Sequence, residues 1–251
     1  MPSGVDRSGV DMRQDKHPAL VRRMRVAVLM PCLDEAGALP AVIAGLQLDP
    51  SLRLIVIDNG SSDQSVAVAE RLGCEVVVQP RRGYGGAVLR GMAHLAALPV
   101  EQQPDIVVVM DADHSSFAVD LPALTGPIAR DEADFVLGER LTRGDADSLT
   151  APQRVGNLLA TRLIQRSTGH RYQDMGPLRA IRWRDLQALR MEDTTWGWNV
   201  EMQIKAVKAG LRIAEVPVGN RPRIGQSKIS GTVQGVVRAG AKILYACWRY
   251  G

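Results

Sequence analysis

Two aspartates with one residue between them, Asp111 and Asp113, follow directly on the apolar segment DIVVVM at residues 105–110. An apolar run rich in β-branched residues predicts a buried strand, so both carboxylates would emerge at its carboxyl end. Carboxylate oxygens are the ligands that hard divalent cations such as Mg²⁺ and Mn²⁺ prefer. A cation held there would neutralise the negative charge that grows on a departing diphosphate. The pair therefore predicts metal-assisted transfer from a diphosphate compound.

Three further polar segments follow apolar runs: PCLDE at 31–35, DNGSSD at 58–63 and QPRRGYGG at 79–86. The carboxyl ends of parallel strands meet at one edge of a sheet, where open α/β folds bind their ligands. Asp58 could accept a hydrogen bond from a nucleotide base, since an ionised carboxylate only accepts. Gly83, Gly85 and Gly86 would let the backbone come close to a ligand. Each segment alone also fits a turn and helix cap, but four in succession favour a ligand site.

The same segments argue against two common nucleotide-binding classes. A dinucleotide fold places GxGxxG after its first strand, whereas this chain has PCLDE there. The GxxxxGK segment of a P-loop is also absent from the sequence. The sequence therefore predicts neither an NAD-dependent enzyme nor a P-loop protein.

The elements that must position these residues alternate between short apolar strands and helices. Strands are predicted at 25–30, 52–58, 74–78, 105–110, 134–138 and 211–218. Helices are predicted at about 36–48, 61–72, 85–98, 153–167, 183–189, 196–209 and 232–249, with a polar loop at 140–153 and a basic loop at 219–231. This rhythm predicts a single α/β domain, with a mostly parallel sheet and helices on both faces.

Length and composition are those of an ordinary globular domain, with 251 residues, 45% hydrophobic and 23% charged. The net charge of +4 suits an anionic ligand or an anionic membrane surface. Aromatic residues make up 4% and do not alternate with basic ones, which argues against a nucleic-acid partner.

Three scattered cysteines are typical of free thiols in a reducing compartment. The polar start lacks a signal-peptide core, and no apolar run reaches the roughly 18 residues of a spanning helix, so we expect a cytoplasmic protein, soluble or peripheral on the inner face of the membrane.

The chain resembles the family 2 inverting glycosyltransferases of the GT-A fold, which is Rossmann-like. Within that family it is similar to the branch of dolichyl-phosphate mannose and glucose synthases, without the transmembrane extension that many members carry. The resemblance covers about residues 25–244 through VAVLMPCLDEAGAL, IVIDNGSSDQS, RRGYGGAVLRGM, VVVMDADHS, GER, QRVGNLLATRL, DMGPLRAI and RPRIGQSKISGT. Together with the polar composition of the start and the amphipathic spacing of the end, it predicts a flexible tail at 1–24, a GT-A glycosyltransferase domain at 25–231, and a C-terminal amphipathic helix at 232–251.

The resemblance also implies roles for individual residues. The nucleotide cradle would comprise Pro31, Leu33, Glu35, Asp58, Gly83 and Asp111. The metal and the donor diphosphate would lie against the catalytic pair Asp111 and Asp113, with a third metal ligand left open because His114 stands where the branch often has glutamine. The acceptor phosphate would meet Arg140 and Arg154, and a mobile basic loop carrying Arg223 and Lys228 would close on the donor diphosphate.

The expected reaction is inverting transfer of a sugar from a UDP- or GDP-sugar to a polyprenyl-phosphate acceptor. A phosphate monoester is already mostly ionised at neutral pH, so it needs cations for positioning and no general base. An alcohol acceptor is the first alternative, and it would need a base, for which Glu192, Asp193 and Glu201 are the candidates. A nucleotidyltransferase and a non-catalytic nucleotide-sugar-binding module are the further alternatives. The sequence leaves the sugar, the base and the oligomeric state open.

Two further features of the sequence have alternative interpretations. Trp196 and Trp198 flank Gly197 and could line a sugar or acceptor site or belong to the core. The final helix places Val233, Val236, Val237, Gly240, Ile243, Leu244, Cys247 and Trp248 on one face, and Gln234, Arg238, Lys242 and Arg249 on the other. This amphipathic pattern predicts a helix that lies on a membrane surface, with packing on the protein's own core as the alternative.

Overall fold

The computed structural model describes residues 24–140, 151–225 and 233–251. The strands are β1 (Val26–Cys32), β2 (Leu52–Asp58), β3 (Glu75–Val78), β4 (Ile106–Val109), β5 (Phe135–Glu139), β6 (Arg179–Arg182) and β7 (Ile213–Pro217). The helices are α1 (Leu39–Leu46), α2 (Ser65–Arg71), α3 (Tyr84–Ala96), α4 (Leu121–Ala129), α5 (Ala151–Thr168), α6 (Trp183–Ala188), α7 (Trp198–Lys208) and α8 (Val233–Tyr250). The described residues thus form the predicted α/β architecture.

One seven-stranded sheet runs through the domain in the order β3-β2-β1-β4-β6-β5-β7. Strand β6 is antiparallel to both neighbours, β4 and β5, and the other described pairs are parallel. Buried side chains form one apolar layer between the sheet and α3, α5, α6, α7 and α8, and a second layer under α1, α2 and α4. The near-continuous apolar runs of β1 and β4 follow from this burial on both faces.

Two elements were not predicted, and each has a local reason. Helix α4 contains Gly126 and Pro127, residues that usually interrupt a helix, so its sequence LPALTGPIA is typical of a loop. Strand β6 has only four residues and no alternation of its own. It belongs to the sheet because it pairs with β4 and β5. The hydrophobic pattern of four residues cannot predict pairing with strands that are distant in sequence.

The start of α2 also differs from the prediction. The helix begins at Ser65 rather than within 61–64, because the Asp63 carboxylate accepts the backbone N–H of Ser65 at 2.9 Å and its hydroxyl at 2.5 Å. An aspartate side chain that accepts the N–H of the residue two positions ahead forms a local turn, and this turn delays the start of the helix. The residues before Ser65 therefore remain at the sheet edge, available to the site.

Candidate active site

The four polar segments that follow β1, β2, β3 and β4 meet at one edge of the sheet around a cavity of about 680 Å³, hereafter the larger cavity. Hydrogen bonds between neighbouring loops fix this edge. Asp34, in the left-handed region at φ 53°, accepts the N–H of Ser62 at 2.6 Å. The larger cavity is lined by Pro31, Cys32, Leu33, Glu35, Asn59, Arg82, Gly83, Tyr84, Asp111, Ala112, Asp113, Thr195, Trp196, Arg223, Ala241 and Lys242.

Most of the predicted nucleotide-binding residues line this cavity, and Asp58 is the exception. Pro31, Leu33, Glu35, Gly83 and Asp111 all do so. The buried Asp58 carboxylate instead accepts the N–H groups of Gly60 at 3.2 Å and Ser61 at 3.1 Å, which closes its own turn.

Asn59, the residue after Asp58, lines the cavity in its place. Its amide donates to the carbonyl of Arg81 at 2.8 Å, and its amide oxygen accepts the N–H of Gly83 at 2.7 Å. Asn59 therefore joins the loop after β2 to the loop after β3. The sequence motif DNGSSD contained this signal, since a buried asparagine can bond to backbone in both directions.

The acidic pair lies where the sequence placed it. Asp113 is buried, and its carboxylate accepts the Ser115 N–H at 2.9 Å and pairs with the Arg223 guanidinium at 3.0 Å. Burial and the neighbouring charge of Asp113 raise the pKa of Asp111 to about 7, and the cations of Arg223, Arg179 and Arg140 partly oppose that shift. Two adjacent buried carboxylates repel each other when both are ionised, so a cation bound between them would stabilise the doubly ionised pair.

The protein's contribution to a metal site is limited to this pair within the described residues. No group of three or more His, Cys, Asp or Glu side chains comes together in those parts of the chain. His114 adopts a left-handed backbone with φ 67° and does not line the larger cavity. Within the described parts of the chain, no third side chain of these types joins Asp111 and Asp113 to complete a protein metal cluster.

A buried arginine that sequence reasoning missed acts on the acidic pair from beneath the cavity lining. Arg179 of β6 is fully buried and donates to the carbonyls of Gly176 at 2.6 Å and Pro177 at 3.3 Å. Its positive charge is among those that lower the pKa of Asp111. Arg179 stands inside the segment DMGPLRAI, but its burial follows from β6, which was not predicted.

The basic loop after β7 begins by packing on the loop after β4. The Arg221 N–H donates to the Ser115 carbonyl at 3.0 Å, and the Ile224 N–H donates to the Asp113 carbonyl at 3.0 Å. The Arg221 guanidinium stacks on the Phe117 ring at 4.3 Å from its centre. This packing carries Arg223 to the acidic pair. Lys228, the other predicted residue of this loop, lies outside the described residues.

A smaller cavity of about 240 Å³ adjoins the larger one and is lined by Arg140, Gly156, Asn157, Ala160, Met175, Trp196, Asn199, Val200, Lys242 and Ile243. Trp196 and Lys242 line both cavities, so the two spaces share a wall. Arg140 is held by a bidentate pair with Asp174, at 2.7 and 2.8 Å, which uses two of its five N–H donors. Arg154 is exposed and lines neither cavity.

The carboxylates considered as a base for an alcohol acceptor have structural partners. The fully buried Glu201 accepts the N–H groups of Glu192 at 2.8 Å and Asp193 at 2.7 Å, and it pairs with Lys205. Asp193 accepts the N–H of Thr195 at 2.7 Å. Glu192 is exposed, and none of these carboxylates lines either cavity.

The glycines after β3 permit a close approach, but the group that approaches is the chain itself. The Gly86 N–H donates to the Thr194 carbonyl at 2.8 Å, and the Gly85 N–H donates to the Thr195 carbonyl at 3.1 Å. A Cβ atom on Gly85 would lie 2.0 Å from the Asp193 carbonyl oxygen. The glycine motif thus joins the loop after β3 to the segment before α7.

Gly85→Ala should therefore destabilise the protein by about 3 kcal/mol or more, because backbone and the Trp198 Cβ leave no room for the methyl group. Thermal unfolding should show a drop in Tm of about 6–12 °C. Gly37→Ala is the matched control, since a Cβ there meets nothing within 4 Å. Equal Tm values for the two variants would show that segment 193–195 can move aside for the methyl group without loss of stability.

Comparison with known proteins identifies the family to which the chain belongs. The profile of the family described as glycosyl transferase family 2 matches residues 27–189, and the chain belongs to that family. An uncharacterized glycosyltransferase of Mycobacterium tuberculosis is 38% identical over 219 residues, which cover 85% of this chain and 94% of the relative. A dolichyl-phosphate hexose transferase of Haloferax volcanii is 30% identical, covering 88% and 93%. An undecaprenyl-phosphate mannosyltransferase of Micrococcus luteus is 30% identical, covering 84% and 90%.

Solved structures confirm the GT-A fold. Glucosyl-3-phosphoglycerate synthase of Mycobacterium tuberculosis, in complex with phosphoglyceric acid, superposes with a TM-score of 0.69 at 25% identity, covering 90% of this chain and 80% of that protein. The same enzyme in complex with Mn²⁺, UDP-glucose and phosphoglyceric acid gives a TM-score of 0.68 at 25% identity, with the same coverage. In the described parts of the chain, no helix is both long and apolar enough to span a bilayer.

Proposed function

We propose that this protein transfers a sugar, with inversion at the anomeric carbon, from a nucleoside-diphosphate sugar to a polyprenyl-phosphate acceptor. The observation that carries the proposal is the pair of adjoining cavities: one is lined by the acidic pair, and the other has Arg140 and Lys242 and no carboxylate among its lining residues. An acceptor that arrives as an anion needs cations and no base. The names of the archaeal and Micrococcus relatives, which specify polyprenyl-phosphate acceptors, support this choice.

The donor nucleotide would occupy the larger cavity. Its volume suits a nucleotide sugar, since ligand pockets are typically about 300–1,000 Å³. Backbone and side chains after β1, β2 and β3 would hold the nucleoside, and Arg223 would meet the diphosphate. The complex of the related synthase with UDP-glucose and Mn²⁺ supports a nucleotide-sugar donor.

Asp111 and Asp113 would hold Mg²⁺ or Mn²⁺ at the diphosphate. The donor set fits, because it offers two carboxylates at a cavity wall, and a guanidinium cation already lies 3.0 Å from Asp113. When bound, the cation supplies charge neutralisation to the leaving diphosphate. Arg223 would then exchange its carboxylate partner for the diphosphate, and this is the movement we propose for the basic loop.

A transfer assay tests the proposal. A panel of radiolabelled UDP- and GDP-sugars is incubated with the protein, Mn²⁺ and one of three acceptors: a polyprenyl phosphate, the matching polyprenol, or 3-phosphoglyceric acid. Label should enter the organic phase with the phosphate lipid alone. Transfer to the polyprenol would support an alcohol acceptor, transfer to phosphoglyceric acid would support a small anionic acceptor, and nucleotide-sugar binding without transfer would support a non-catalytic module.

A surface of α5 and α8 beside the smaller cavity suits a lipid-linked acceptor. Val155, Leu158 and Leu159 of α5 are exposed, as are Leu244, Tyr245 and Trp248 of α8, with Trp248 at 79%. The two helices contact each other, and neither contains an acidic residue. Exposed apolar side chains with a basic surround are typical of contact with an anionic bilayer.

Among the side chains described in α8, which begin at Ala241, the predicted apolar face divides between two environments, and its first four residues fall outside that description. Ala246 is fully buried, and Ile243, Cys247 and Tyr250 pack on the core, whereas Leu244 and Trp248 point away from it. Packing on the core thus accounts for the inner side of this helix, and membrane contact, which stays a proposal, would fall to its outer side.

Leu159→Ser/Trp248→Ser should reduce co-sedimentation with vesicles that contain anionic phosphatidylglycerol, because the double substitution removes two exposed apolar side chains without touching the core. We expect the bound fraction at low salt to fall at least about fivefold, since each buried side chain contributes roughly 1.5–3 kcal/mol. Val100→Ser/Val119→Ser, at exposed positions on other elements, is the matched control. If the unsubstituted protein stays in the supernatant, the membrane surface is excluded.

A further inference from the structure

Lys242 of α8 occupies the junction of the two cavities. Among the described residues, only Lys242 and Trp196 line both cavities. Its side chain is 31% exposed, so the ammonium group is neither sealed in the core nor free in solvent. A half-buried cation at a wall shared by two cavities can meet an anion that occupies either of them. Its Nζ also lies 4.9 Å from the centre of the Tyr245 ring.

Contacts with the protein orient this ammonium group. Its Nζ lies 3.3 Å from a carboxylate oxygen of Asp193, whose side chain is 2% exposed. The other carboxylate oxygen accepts the N–H and the hydroxyl of Thr195, each at 2.7 Å. Thr195 lines the larger cavity and accepts the N–H of Gly85. An ion pair followed by hydrogen bonds thus connects Lys242 to the loop after β3, and an ammonium group has three N–H donors, more than one ion pair uses.

We propose that Lys242 is a further substrate-binding residue, which places a positive charge between the donor diphosphate and the attacking acceptor phosphate. The proposal rests on the proposed function. In that reaction an acceptor phosphate oxygen forms a bond to the anomeric carbon, and the bond from that carbon to the diphosphate breaks. The electron pair leaves with the nucleoside diphosphate, and no proton is transferred. Two anions must approach each other, so a cation between them opposes their repulsion and the charge that grows on the leaving group.

This assignment makes the C-terminal helix part of the active site. Ala241 and Lys242 of α8 line the larger cavity, and Lys242 and Ile243 line the smaller one. The sequence pattern placed Lys242 on the polar face of an amphipathic helix, where a lysine is usually solvated. Its position at the cavities follows from the packing of α8 on α5 and α7, which brings that face over the segment before α7.

Lys242→Met, Lys242→Arg and Arg249→Met in the full chain test the proposal. Arg249→Met removes one positive charge from the same helix without touching a cavity. Binding of UDP and of GDP is measured by calorimetry with MnCl₂, and kcat and KM are measured for transfer to a polyprenyl phosphate. Lys242→Met should raise the Kd of the preferred nucleotide and the acceptor KM, and lower kcat/KM for the acceptor about tenfold to a hundredfold. Lys242→Arg should restore most of the loss, and Arg249→Met should match the unsubstituted protein.

The outcomes separate this proposal from the function it rests on. Lys242→Met with unchanged nucleotide Kd and unchanged acceptor kinetics overturns the assignment, even if its Tm falls, because a purely structural ion pair would change stability alone. If the unsubstituted protein transfers nothing to polyprenyl phosphate, the proposed function fails. A loss of nucleotide affinity in Lys242→Met, with recovery in Lys242→Arg, then still supports the contact with the diphosphate.

Discussion

Asp113→Asn should lower the rate of sugar transfer by about 10²–10³-fold, as removal of one preorganised electrostatic contact to a leaving group does in other enzymes. A neutral amide is a weaker ligand for a hard cation than a carboxylate. The fold should persist, because the amide oxygen can still accept the Ser115 N–H that now bonds Asp113 at 2.9 Å. Initial rates with Mn²⁺, together with circular dichroism and Tm, measure both effects.

Two controls accompany this variant. Glu132→Gln makes the same chemical change at an exposed carboxylate that pairs with Arg130 outside both cavities, and its rate should equal that of the unsubstituted protein. Excess chelator should abolish transfer by the unsubstituted protein, and added Mn²⁺ or Mg²⁺ should restore it. Full activity in chelator would rule out the metal role of Asp111 and Asp113.

Arg140→Ala should lower kcat/KM for the acceptor by about 10²-fold and change the Kd of the nucleoside diphosphate less than about threefold. Arg140 lines the smaller cavity and not the larger one. The variant should also lose stability, by about 3–5 kcal/mol, because the buried Asp174 carboxylate loses its bidentate partner. Steady-state kinetics, nucleotide calorimetry and thermal unfolding distinguish the three effects.

Arg140→Lys separates binding from stability. A lysine keeps a positive charge beside Asp174 but lacks the planar fork, so Tm should recover more than acceptor kinetics do. Arg154→Ala tests the other arginine predicted for the acceptor phosphate. Because Arg154 is exposed, this variant should lose less kcat/KM for the acceptor than Arg140→Ala does. Equal losses of donor and acceptor affinity in Arg140→Ala would contradict its placement on the acceptor side.

The parts of the site that follow parallel strands could be predicted from the sequence. Buried strands such as β1 and β4 have continuous apolar runs, and their common direction brings the segments after them to one edge. Knowledge of that direction suffices to place Glu35, Gly83 and Asp111 around one cavity. The family resemblance added Arg223, whose sequence neighbours alone do not distinguish it from a solvated surface arginine.

The remaining features depend on tertiary packing, which local patterns do not encode. Asp58 and Asn59 are adjacent, and only the turn geometry decides that Asn59 reaches the cavity while Asp58 closes the turn. The close approach at Gly85 was predictable, but the approaching segment is more than 100 residues away in sequence. Lys242 is likewise placed by the packing of α8, and its helical spacing would suit solvent equally well.

The most direct measurement is NMR spectroscopy of the purified lipid product, made from a nucleotide sugar labelled with ¹³C at the anomeric carbon. If the acceptor phosphate attacks that carbon in line, the product's labelled carbon should show coupling to ³¹P, and its anomeric configuration should be opposite to that of the donor. A labelled carbon without phosphorus coupling would mean transfer to a hydroxyl group, and a retained configuration would mean a different mechanism. Either result would contradict direct transfer between the two cavities.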